Sequence, residues 1–147
     1  IEGEAGIEQN IIPPGGAAPY RLLLKADWRA YAGAAVLLRT ADSATDAASR
    51  AVSVDIEQEE QRMEDSRYTI SAVLHNRDSQ PAQLYRVIVT LNDAQGQITG
   101  YRVLQLNRQL ISDESLPLEI MVVPQVASIS TQHTLYVEAE RIVPVTP

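Results

Sequence analysis

The chain reads as all-β, an antiparallel β-sandwich with a partial second copy of the same module at its N-terminus. Three observations predict this. Residues 52–140 carry six short segments in which apolar side chains recur at every second position, the period of a half-buried strand. Between them lie polar stretches with Pro, Gly, Asn and Asp, spaced as in an all-β sandwich. Finally, residues 1–42 repeat the pattern of the last three segments.

The first segment is residues 52–56, where Val52, Val54 and Ile56 alternate with Ser53 and Asp55. Residues 57–65, EQEEQRMED, read as a charged connection. Residues 68–74 place Ile70, Ala72 and Leu74 on one face, and 84–91 follow after a polar loop containing Pro81. Asn92-Asp93-Ala94-Gln95-Gly96 is a turn: Asp93 can accept backbone N–H bonds from residues just ahead, and Gly96 can supply positive φ. Strands at 98–106, 116–123 and 133–140 complete the set, with polar connections at 107–115 and 124–132.

Ahead of these, residues 18–25 and 34–40 read as strands, joined by a connection that carries Trp28 and Tyr31. A single helix over 20–40 is the competing reading, because Leu, Ala, Arg and Lys are good helix formers. The run DSATDAASR at 42–50 has the composition of a linker. Shifting the chain on itself lays Pro19-Tyr20-Arg21-Leu22 over Pro117-Leu118-Glu119-Ile120, and Val36-Leu37-Leu38-Arg39 over Thr134-Leu135-Tyr136-Val137. The expected organisation is therefore the C-terminal half of a sandwich at 1–42, a linker at 43–50 and a complete module at 51–143. A half-sandwich exposes an apolar face and unpaired edges. It is expected to be completed by preceding sequence or by the same segment of a second chain, which makes self-association the first partner to consider.

The run Val89-Thr90-Leu91-Asn92-Asp93, with Gly96 after it and Asn76 closing the strand before it, resembles the FxLYD-type immunoglobulin-like domains of bacterial and archaeal surface proteins. Leu91 and Asp93 keep the motif's Leu and Asp, while Val89 stands for its Phe and Asn92 for its Tyr. The resemblance implies an immunoglobulin-like sandwich, an extracytoplasmic setting, tandem arrangement and no catalysis.

Composition narrows the chemistry. An apolar share of 45% with no Phe and one Trp makes a core of Val, Leu, Ile and Ala. The net charge of −7 and scattered basic residues argue against nucleic acid and against an anionic membrane surface. No apolar run reaches the roughly 18 residues of a membrane-spanning helix. With no Cys there is no disulfide, zinc-thiolate site or cysteine nucleophile. No Gly-x-Ser-x-Gly elbow or phosphate loop is present, and no cofactor is expected.

His75 and His133 are the only imidazoles, both near strand ends and more readily read as capped than catalytic. Glu57, Glu59, Glu60, Glu64 and Asp65 are the densest carboxylates, without the spacing of a calcium loop. Trp28 and Tyr31 are the candidate recognition residues, since loop aromatics are enriched at binding surfaces. The expectation is a non-catalytic structural or protein-interaction module of a multidomain surface or secreted bacterial protein. The alternative is a carbohydrate- or peptide-binding accessory domain of an enzyme.

Overall fold

The computed structural model describes residues 9, 12, 17–20, 50, 52–125, 129–130 and 132–142. The chain divides into two compact units, Ile1–Ser49 and Arg50–Pro147. The architecture below is that of the second. The first-unit strands, the helix alternative and the repeat fall outside the described residues.

Six strands follow in order: β1 Asp55–Glu64, β2 Arg67–His75, β3 Ala82–Asn92, β4 Ile98–Leu110, β5 Ser115–Val122 and β6 Gln132–Arg141. They form two antiparallel three-stranded sheets, β1-β2-β5 and β4-β3-β6. Alternation sets the inner face of the first: Tyr68, Ile70, Ala72 and Leu74 of β2 are buried, as are Leu116, Ile120 and Val122 of β5. The second sheet contributes Leu84, Val87, Val89, Leu91, Leu110, Leu135 and Ala139 to the same hydrophobic core. Burial of these branched aliphatic side chains is the main source of stability, about 1.5–3 kcal/mol for each Leu, Ile or Val fully removed from water.

Strand β3 departs from simple alternation. Ile88 and Thr90 are buried as well, on the face opposite Val87, Val89 and Leu91. As the middle strand it is flanked on both sides, with Ile88 in register with Val103 of β4 and Tyr136 of β6. Gly100 is where β4 passes close to this core: a Cβ built there would lie 2.9 Å from Leu91 Cδ1 and 3.3 Å from Val122 Cγ1.

Residues 57–65 are not a connection. All but Asp65 belong to β1, which runs through to Glu64 and turns at Asp65 and Ser66 into β2. A bulge between Glu57 and Glu60, with Gln58 at φ 53°, inserts one residue opposite β2. It resets the pleat, so that Glu60 and Arg62 lie on the solvent side while Gln61 pairs with the inward Ile70. Similarly, β4 extends to Leu110 through part of the stretch read as a polar connection.

The β1–β2 turn is a two-residue hairpin, Glu64 pairing with Arg67, and both Asp65 and Ser66 have positive φ. A left-handed conformation costs a non-glycine residue about 1–2 kcal/mol. Ser66→Gly is therefore expected to stabilise the unit by about 1 kcal/mol, read as a higher urea midpoint at unchanged slope. An unchanged or lower midpoint would contradict the turn geometry.

Candidate functional site

The two ends of the unit differ in chemistry. At one end lie the β2–β3 loop, the β4–β5 loop, the start of β1 and the end of β6. Asp55 pairs with His75, Ala82 with Arg141, and Arg50 Nη1 stands 3.6 Å from Glu140 Oε2. The start of β1 and the end of β6 thus lie together at this end.

Its organiser is Asn76, fully buried just after β2. The Nδ2 amide donates to the carbonyls of Gln80 (3.0 Å), Leu110 (3.0 Å) and Ile111 (3.1 Å), and Oδ1 accepts from Asp78 N at 3.0 Å. Its backbone adds two bonds to the β4–β5 loop, donating to Glu114 O and accepting from Asp113 N. One side chain therefore closes two loops, one from each sheet crossing.

Charged groups surround it. Arg77 reaches Asp55 Oδ2 at 2.6 Å and Glu57 Oε1 at 2.5 Å, and Arg141 reaches Asp78 Oδ2 at 2.5 Å. Arg108 pairs with Glu114 at 3.1 Å. The Arg77 guanidinium, followed by His75, holds the Glu57 carboxyl below its ordinary range. Arg141, followed by the Gln80 N–H, does the same for Asp78. For Glu114 the largest cause is the backbone N–H of Ile111, opposed by burial.

These depressed carboxyls stabilise the fold only while ionised. Their contribution is complete above the ordinary values of 4.5 for Glu and 3.8 for Asp, and is lost as pH falls through the lower folded-state values. The urea midpoint is expected to fall on acidification below about pH 4.5, and less steeply in Asp78→Asn. Equal acid slopes in the two proteins would sink this assignment.

At the opposite end lie the β1–β2 turn, the β3–β4 turn and the β5–β6 connection. Asp93 is buried and its Oδ1 accepts from Gln95 N and Gln97 N, both at 2.9 Å. Gly96, at φ 76°, donates its N–H to Asp93 O. Thr99 Oγ1 and Ser130 Oγ are 2.6 Å apart in a buried contact, Ser130 N donates to Tyr68 OH, and Gln125 N donates to Thr99 O. These bonds tie β4, β2 and the β5–β6 connection together.

Yet the neighbouring side chains are apolar and solvent-facing: Ile98 is 53% exposed, Val123 60% and Ile129 74%. Each of the three lies next to a residue fixed by these bonds or by the bridge between Gly100 and Pro124. Large aliphatic side chains thus face water at the end of the unit opposite Asp55 and Arg141.

Of the residues singled out in the sequence, Asp93 and Gly96 share one turn, and Trp28 and Tyr31 lie outside the described residues. The carboxylates of 57–65 are spread along β1 and its turn. Among the described residues no group of three or more His, Asp or Glu is placed to hold a metal ion. His75 and His133 each sit between two acceptors, His75 against Glu57 and Asp113, His133 against Glu59 and Gln61. Sequence reasoning missed Asn76 as a loop organiser and missed Ile98, Val123 and Ile129 as a surface. The available signal for the latter was Ile129, a large aliphatic residue inside a connection.

These features define a class: a cysteine-free, all-β unit of two three-stranded sheets, with one end rich in ion pairs that also exposes Ile111, and an opposite end that exposes Ile98, Val123 and Ile129. Residues 47–142 match the model of the family described as protein of unknown function DUF3426, and the chain belongs to that family. No curated protein and no solved structure matches the chain.

Proposed function

We propose that the chain is a non-catalytic, immunoglobulin-like module of a multidomain bacterial surface or secreted protein, and that it works by binding a protein partner, a second copy of itself included. The single observation that carries this is the exposure of Ile98, Val123 and Ile129 at the end of the unit opposite Asp55 and Arg141. Exposed aliphatic side chains at one end of a unit offer a protein partner apolar contact, and a contiguous set of them marks an interaction surface.

The immunoglobulin-like part of this reading is supported by strand order. The orders β1-β2-β5 and β4-β3-β6 correspond to strands A-B-E and C′-C-F of that sandwich. The FxLYD-type resemblance at Asn76, Leu91, Asp93 and Gly96 points the same way and supplies the extracytoplasmic setting. Fold does not assign function by itself, so the proposal stands on the exposed end.

The full chain is expected to show no Trp28-dependent binding on a glycan and peptide array. Binding that disappears in Trp28→Ala would overturn the proposal in favour of an accessory domain with its site at Trp28 and Tyr31. The variant Ile129→Glu, at an exposed position, should fold with stability within about 0.5 kcal/mol of wild type and is the matched reagent for partner studies.

A further inference from the structure

We propose that Thr99 is the positioning residue of the aliphatic end, fixing where Ile129 and Val123 stand relative to Ile98. This inference rests on the reading of that end as the interaction surface and adds to it the residue on which its geometry depends.

A bulge puts Thr99 in place. Leu91 pairs with Gly100 and Asn92 with Ile98, so Thr99 is the extra residue in β4. Alternation breaks there: Thr99 and Gly100 are both buried, while Ile98 before them faces water. Left out of the β3 ladder, Thr99 turns both its carbonyl and its hydroxyl to the β5–β6 connection.

The connection is held at two points. The Thr99 carbonyl accepts from Gln125 N at 2.7 Å, and Thr99 Oγ1 lies 2.6 Å from Ser130 Oγ in a buried contact. Ser130 is held from the other sheet as well, its N–H donating to Tyr68 OH of β2 at 3.1 Å. The bridge between Gly100 and Pro124 adds a tie beside the first point. One residue of β4 thus staples the connection at Gln125 and at Ser130. A bond between buried hydroxyls is costly to lose, because water does not replace it.

The exposed aliphatic side chains hang on this staple. Ile98 precedes Thr99, Ile129 precedes Ser130, and Val123 lies two residues before Gln125. Side chains that face water are placed by the backbone at their roots. A partner that touches all three gains from roots fixed before it arrives, since ordering a loop on binding costs affinity.

The two attachments are chemically separable. Thr99→Val keeps the shape and the backbone carbonyl, so the Gln125 bond remains and the Ser130 hydroxyl bond is lost. Ile129 should then lose its place while Val123 keeps it. Thr99→Ser retains a hydroxyl and is the rescue. Ser130→Ala removes the same bond from the other side and decides the question if Thr99→Val does not fold.

The test combines a photo-crosslinking residue at 98, 123 or 129 of the full chain in its native cells with amide hydrogen exchange of the purified full chain. Thr99→Val and Ser130→Ala are expected to lower the adduct yield from 129 about five-fold relative to 98, and to lower protection of the amide at 130 by about the same factor relative to central β3 amides. The yield from 123 relative to 98 and the protection of the Gln125 amide should keep their wild-type values, and Thr99→Ser should match wild type throughout. Wild-type adducts with an unchanged ratio of 129 to 98 in Thr99→Val and Ser130→Ala would overturn this inference and leave the interaction reading standing. Unchanged protection of the amide at 130 would overturn it whatever the adducts show. A wild-type chain without adducts at 98, 123 and 129 would overturn the interaction reading, and this inference with it.

Discussion

Asn76→Asp is expected to destabilise the two-sheet unit by about 3 kcal/mol at neutral pH. The substitution replaces an amide that donates to three carbonyls, at 3.0, 3.0 and 3.1 Å, with a carboxylate oxygen that repels them. The site is fully buried, so water does not compensate. The two-residue Asx turn to Asp78 survives through Oδ1, which isolates the loss to the donor side. Urea unfolding measures the difference. Acidification offers a second check, because a protonated carboxyl can again donate one bond and a buried carboxyl is favoured in that form. The gap between Asn76→Asp and Asn76→Ala should therefore narrow at low pH. A loss below about 1 kcal/mol would mean that the loops hold each other without Asn76.

Leu74→Ala is expected to cost about 3–4 kcal/mol, through lost transfer energy and the cavity left behind. Leu74 is 0% exposed and sits on the central strand of its sheet, in register with Ile56 of β1 on one side and Leu116 of β5 on the other. Removing it leaves all three strands of that sheet with a gap facing Leu84 and its neighbours in the core. For a unit of this size the melting temperature should fall by at least about 12 °C. Exposed Met121, on the opposite face of β5, is the control: Met121→Ala should change stability by no more than about 0.5 kcal/mol. Comparable losses at the two positions would mean that the inner and outer faces have been exchanged, as a one-residue slip of register would do.

The strands were legible where their inner faces are aliphatic. Ile70, Ala72 and Leu74 announce β2 and residues 84–91 announce β3, while the burial of Ile88 and Thr90 on the second face of β3 was not read from the sequence. The Asp93–Gly96 turn was legible because its chemistry is local: acceptor and donors lie within four residues. Strand β1 beyond Ile56 was not legible. Among the described residues it is an edge strand with charged residues toward solvent, and after the bulge its inward position is filled by Gln61, which meets His133 instead of an aliphatic core. Polar inward residues at an edge are one way a sheet blunts unwanted pairing, and they erase the alternation by which strands are recognised.

Asn76 was hidden for a different reason. Its partners Leu110 and Ile111 lie more than thirty residues away, and their backbone carbonyls leave no mark on the sequence. The exposed end was hidden because Ile98 starts a strand while Val123 and Ile129 lie in the β5–β6 connection. Only the fold gathers them.

The central claim is that the chain acts through this end. A photo-crosslinking residue placed singly at positions 98, 123 and 129, at 28 and 31, and at 79 in the polar-end loop, in the full chain made in its native cells, tests it most directly. Adducts to one protein, or to a second copy of the chain, are expected from 98, 123 and 129, competed by excess wild type and not by a chain carrying Ile98→Glu, Val123→Glu and Ile129→Glu. Adducts concentrated at 28 and 31 or at 79, or equal yields at every position, would contradict the account.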